Sequence, residues 1–163
     1  MMKAKKEKLI EQMNSYAEYA KEGIVTNEIF MSSVRELIFM MSDILKDKET
    51  EFFVPVNDNG PMVWDEDRSI FLPMYVNEEM IPEGINYAPI HPCEIFKAAY
   101  ECRQEKGGPV CGVIVDPGCD NVFTYEGFIL DAVVCRYLGF DRFVYINEIT
   151  GEEKVIWDIQ GNG

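Results

Sequence analysis

His91 and Cys93 are the only pairing in this chain with the makings of a nucleophile and its base, because His91 is the sole histidine among 163 residues. A cysteine protease-like or serine hydrolase-like site needs the imidazole within hydrogen-bond reach of the nucleophile. Pro92 sits between the two and favours the first position of a helix, which makes His91 a cap and places Cys93 in the first turn. Cap and first-turn side chains need not meet, so the plainer reading is a helix cap beside a packed thiol. The first-turn position can lower a thiol pKa, and that keeps the reactive reading in view.

Other groupings offer less. Asp116, Asp120 and Asn121 supply oxygens near one another, yet Pro117-Gly118-Cys119 interrupts the alternation a calcium loop requires. Gly107-Gly108-Pro109 and Gly112 lack the Gly-Lys-Ser/Thr of a phosphate loop, and Pro109 removes an amide such a loop would use. Cys93, Cys102, Cys111, Cys119 and Cys135 form no Cys-x-x-Cys pair, so neither a structural metal nor any cofactor is expected. An odd number of cysteines reads as buried, reduced thiols. The acid pairs Glu78-Glu79 and Glu152-Glu153 read as solvated turns. No catalytic residue is expected.

Asp116-Pro117-Gly118-Cys119 is the best-specified turn. Pro117 presets φ for the second turn position, and Gly118 supplies a positive φ at the third, which predicts type II. The turn separates a strand at 112–115 from a short strand at 121–124. An almost wholly apolar helix follows from Glu126 to Leu138. Such a helix must be covered on more than one side.

Spacing predicts the rest. A helix over Lys3 to Glu22 places Leu9, Met13, Tyr16 and Ala20 on one face, with Gly23 as its stop. A second helix begins after Thr26-Asn27 and runs to about Lys46, giving a helical hairpin over 1–48. Extended segments follow at 51–56, 62–64, 69–76 and 86–88. Pro55 marks the first as an edge strand, and Asp65-Glu66-Asp67 reads as an acidic turn. The helix after Pro92 ends near Glu105. A β-hairpin closes the chain over 140–159, with Phe143 and Tyr145 on one face and Val144 and Ile146 on the other. The expectation is one α+β domain over 1–163, with a mixed sheet of five to seven strands.

Asp plus Glu number 29 against 15 Lys plus Arg, a net charge of −14. That field repels nucleic acid and anionic lipid, and it favours a basic protein partner. No apolar run reaches the length of a membrane span, and Leu9-Ile10 is broken by Glu11-Gln12 before a signal sequence could form. A cytoplasmic location is expected.

Phe53-Val54-Pro55-Val56, then Ser69-Ile70-Phe71-Leu72-Pro73-Met74-Tyr75 followed by Asn77-Glu78-Glu79, then Pro92-Cys93-Glu94-Ile95-Phe96, then Gly112-Val113-Ile114-Val115-Asp116-Pro117-Gly118 stand in one order. In that order and spacing they resemble the SseB-type domain, the N-terminal domain of enhanced serine sensitivity proteins. The resemblance spans residues 30 to 138, with 51–138 as its core. Asp116 replaces the family's usual Asn, and Tyr75-Val76 replaces its aromatic-Thr pair. The resemblance implies an intracellular bacterial α+β domain with no agreed activity.

Two functional readings follow, and a third concerns assembly. The first is a non-catalytic protein-binding module using Phe53, Trp64, Asp116, Pro117 and Gly118. The second is a small-molecule site or enzyme near the Asp116-Pro117-Gly118 turn. The third is a homodimer in which the first helix packs across a two-fold axis.

Overall fold

The computed structural model describes residues 2–23, 26–66, 69–105 and 110–159. Gly107-Gly108-Pro109 and Asp67 lie outside the described residues. Helices α1 (Met2–Glu22) and α2 (Asn27–Leu45) form the expected N-terminal hairpin. Thr26 caps α2 by accepting the Ile29 amide at its hydroxyl, 3.2 Å away. Leu9 and Met13 of α1 are buried, as are Val34, Leu37, Ile38 and Met41 of α2. Of the α1 stripe, Leu9 and Met13 are therefore covered within the chain itself, while Tyr16 is half-buried and Ala20 exposed.

The strands follow: β1 (Phe52–Asn57), β2 (Gly60–Pro61), β3 (Trp64–Glu66), β4 (Ser69–Met74) and, after a 3-10 turn at Glu78–Met80, β5 (Asn86–Ile90). Helix α3 (Pro92–Gln104) leads to β6 (Val110–Val115) and β7 (Phe123–Glu126). Helix α4 (Phe128–Tyr137), β8 (Arg142–Ile146) and β9 (Glu153–Asp158) complete the described chain. The sheet orders are β2-β1-β5, β3-β4-β6-β7 and β8-β9. β4 and β6 run parallel and the remaining pairs antiparallel. Two backbone bonds between Phe53 and Tyr75, at 2.9 and 2.7 Å, join the first two sheets. The architecture is the α+β, mixed-sheet arrangement expected.

β1 is not an edge. It lies between β2 and β5, and Pro55 is buried within it. On one side, Phe52, Val54 and Val56 pair with β5. On the other side Pro55 accepts the Met62 amide at 2.9 Å but has no N–H to return the bond. The ladder with β2 stops there, and Phe53 takes up Tyr75 instead. Proline thus marks a change of partner along an inner strand. A second correction concerns the acids: Asp65 and Glu66 lie in β3, opposite Ile70 and Ser69, rather than in a turn.

α4 packs against α2, α3, β7 and β8. Ile129, Leu130, Ala132, Val133, Val134 and Cys135 are buried, as an apolar helix demands. It starts two residues later than its composition suggests, because β7 runs on through Glu126 and Gly127 turns with φ of 57°. Tyr125 of β7 is fully buried and donates its hydroxyl to the Leu37 carbonyl at 2.8 Å. A side chain at Gly112, across from β7, would collide with the Tyr125 carbonyl oxygen. At the C-terminus Phe143 stacks on Trp157 at 5.2 Å, and Tyr145 meets Phe128 at 4.2 Å. Among the described residues no helix is long and apolar enough to cross a membrane.

Candidate functional site at the Asp116 corner

Parallel pairing brings the C-terminal ends of β4 and β6 side by side, with Met74 opposite Val115. In open α/β sheets a crevice at such ends is where ligands bind. Here the chain fills that place itself. The Asp116 amide donates to the Met74 carbonyl at 2.9 Å, and Asp116 adopts φ of 54°, a left-handed conformation that Asp tolerates better than most residues. Its Oδ1 accepts the Val76 amide at 2.9 Å and its Oδ2 accepts the Asn121 side-chain amide at 3.0 Å. The Cys119 amide donates back to the Asp116 carbonyl at 3.1 Å, and Gly118 has φ of 84°. With Pro117 confined to negative φ, this is the type II turn that Pro-Gly predicts.

The turn is tied in from its neighbours. Tyr75 donates its hydroxyl to the Pro117 carbonyl at 3.1 Å, and the Cys119 thiol donates to the Met80 carbonyl at 3.6 Å. Val122 donates its amide to Cys119, so the turn uses up Asn121 and Val122, and β7 begins only at Phe123.

Asp116 is wholly buried. Burial pushes its carboxyl above the ordinary carboxylate range, and the bonds from Val76 and Asn121 oppose that shift without cancelling it. Burial, followed by the neighbouring Asp116 and Asp120 charges, raises the Cys119 thiol. It also raises the Tyr75 phenol. A thiol so raised is a poor nucleophile. Asn121 keeps one unmatched group, its buried Oδ1.

Phe53 adjoins this corner through its backbone bonds to Tyr75, and its ring meets Tyr87 edge to face at 5.7 Å. Trp64 stands apart, half-buried on β3 opposite Phe71. Lys6 is a participant that the sequence reading missed. Its ammonium donates to the Val76 carbonyl at 2.9 Å and lies 5.3 and 5.4 Å from the Phe52 and Phe53 rings. Burial lowers its pKa, while Glu51 and Glu78 pull it back up. The signal was available: Lys6 precedes Leu9, Met13 and Tyr16 at helical spacing, a cation placed in an apolar stripe.

His91 caps α3. The Cys93 amide donates to its Nδ1 at 3.1 Å, so Nε2 carries the proton and donates to the Asp47 carbonyl at 2.8 Å. The neighbouring Cys93 thiol raises the Tyr137 phenol. Cavities of about 620 and 580 Å³ lie away from the corner, one beside His91 and Cys93 and one along β8. Among the described residues no three His, Cys, Asp or Glu side chains converge as a metal site would need. The chain matches no protein-family model, no curated protein and no solved structure.

Proposed function

We propose that this chain is an SseB-type accessory domain that acts by binding a basic protein and not by catalysis. The observation that carries the reading is the distribution of charge. Residues 51 to 90 hold eight acidic groups and one basic, a net of −7, which is half of the chain's −14. Glu51, Asp58, Asp65, Glu78, Glu79 and Glu83 are all exposed on this β1–β5 region. Tyr87, exposed beside Phe53, adds an aromatic surface among them. Such a surface speeds encounter with a cationic partner and screens out anionic ones. The bonds that occupy Asp116, Tyr75, Cys119 and His91 support the non-catalytic part of the reading, since each group already has a structural task.

The test is capture of partners from the native cell by the immobilised chain, against a variant carrying Glu78→Lys, Glu79→Lys and Glu83→Lys. The expected result is a basic protein held at low salt, released at high salt, and absent from the variant. A partner that survives both treatments would contradict the proposal.

A further inference from the structure

β8 has a single strand neighbour among the described residues, β9. The Ile159 amide donates to the Asp141 carbonyl at 3.0 Å and the Asn147 amide to the Glu152 carbonyl at 2.9 Å. Odd-numbered residues of this strand therefore point their backbone groups at β9. Alternation turns those of Arg142, Val144 and Ile146 to the other side. An open groove of about 580 Å³ also runs along β8, with Arg103, Phe128 and Asp131 beside it. Arg103 and Asp131 satisfy each other through two bonds of 3.1 and 3.2 Å, so the groove offers no unmatched charge at that point.

The open edge of β5 differs. It presents Tyr87 and Pro89 outward, and a proline there blunts pairing because it has no amide to give. β8 has no proline. Its outward residues Val144 and Ile146 are apolar, the features of an edge that pairs.

Exposed apolar side chains gather on the same hairpin. Of nine large ones exposed among the described residues, five are Leu138, Phe140, Ile146, Ile149 and Ile159. Ile146 and Ile149 stand at the hairpin tip, 54% and 95% exposed. Leu138, Phe140 and Ile159 stand at its base, at 55%, 54% and 73%.

We propose that β8 pairs antiparallel with β8 of a second copy across a two-fold axis at Tyr145. In that register Val144 lies opposite Ile146 of the second copy, and Arg142 lies opposite its Glu148. Ile149 comes to the base of the other hairpin, beside Phe140 and Leu138. Each contact occurs twice, as an isologous interface requires. Tip and base, each wet in one copy, cover one another. An acidic chain attracts basic peptides, but the matched apolar groups fit a copy of this chain better, and the half-exposed Arg142, 3.5 Å from Asp158 in its own hairpin, faces Glu148 of the second copy as well.

Two copies at −14 each repel, so raising salt strengthens this contact. The partner proposed above responds to salt in the opposite sense, so the two proposals fail separately. Light scattering over a range of protein and salt concentrations tests the dimer. The expected mass rises from 18.8 kDa toward twice that value with concentration, and does so earlier in molar salt. Ile146→Pro removes an outward amide and none facing β9. Ile149→Ser removes only an exposed side chain. Each variant should move the midpoint to at least ~10-fold higher concentration, equivalent to about 1.4 kcal/mol, with an unchanged far-ultraviolet circular dichroism spectrum. A mass fixed at 18.8 kDa at every concentration in molar salt overturns the proposal. So does either variant that keeps its spectrum and still dimerises like the native chain. If Ile146→Pro does not fold, Ile149→Ser decides alone.

Discussion

The Asp116 corner and the C-terminal hairpin invert the usual distribution of polar and apolar groups. At the corner a carboxyl group is wholly buried and both of its oxygens are bonded. On the hairpin, isoleucines stand in water. Burying a carboxylate is costly unless its bonds are supplied, and exposing several large apolar groups together is uncommon unless something covers them. The contrast assigns different work to the two regions. The corner spends its polar groups holding the ends of β4 and β6 together. The hairpin keeps contact capacity in reserve.

The sharpest break in this comparison is Asp116→Ala. It leaves the buried Val76 amide and Asn121 side-chain amide without acceptors and puts alanine at φ of 54°. At about 1–3 kcal/mol for each unmatched group, the expected loss is about 2–6 kcal/mol in urea unfolding. Gly112→Ala comes next, because its methyl meets the Tyr125 carbonyl, which is backbone and yields little. A loss of about 1–3 kcal/mol is expected, with a lowered thermal midpoint. Lys6→Met keeps the stem against Phe52 and Phe53 but gives up the bond to the Val76 carbonyl, for about 1 kcal/mol. Hydrogen exchange in α1 should speed up before that of the sheet. Ile149→Ser at the hairpin tip should leave stability unchanged within about 0.5 kcal/mol. A large loss there would mean that the tip is packed in the monomer and that the contrast with the corner is false.

The sequence disclosed both regions unequally. Pro117-Gly118 specified the turn type, because only glycine readily supplies φ > 0 at the third position, and Gly118 has φ of 84°. The α4 core was legible because its side chains are apolar on every face. Thr26 and His91 were legible as caps because each precedes a helix with the right acceptor. What escaped depends on neighbours distant along the chain. Pro55 suggested an edge, yet its missing amide is tolerated inside a sheet where one partner strand gives way to another. β7 slipped two residues because Asn121 was claimed by Asp116, a bond that no local pattern announces. Lys6 and Val76 are separated by 70 residues, and only the fold brings them together.

The bonds of the Asp116 corner give it a structural task. The most direct measurement is the stability of Asp116→Asn against the native chain from acid to neutral pH, by urea unfolding. Burial raises the folded-state pKa of Asp116 above its unfolded value, so the folded chain holds the extra proton between the two. The stability this contributes is complete below the unfolded pKa and is lost as pH rises through the folded one. Asparagine carries no such loss. It can accept the Val76 amide and donate to the unmatched Asn121 oxygen once that side-chain amide turns. The prediction is a variant that gains on the native chain as pH rises and at least equals it at neutrality. A variant that instead falls to the level of Asp116→Ala at neutral pH would show that the ionised carboxylate itself stabilises the corner, and would contradict the burial argument.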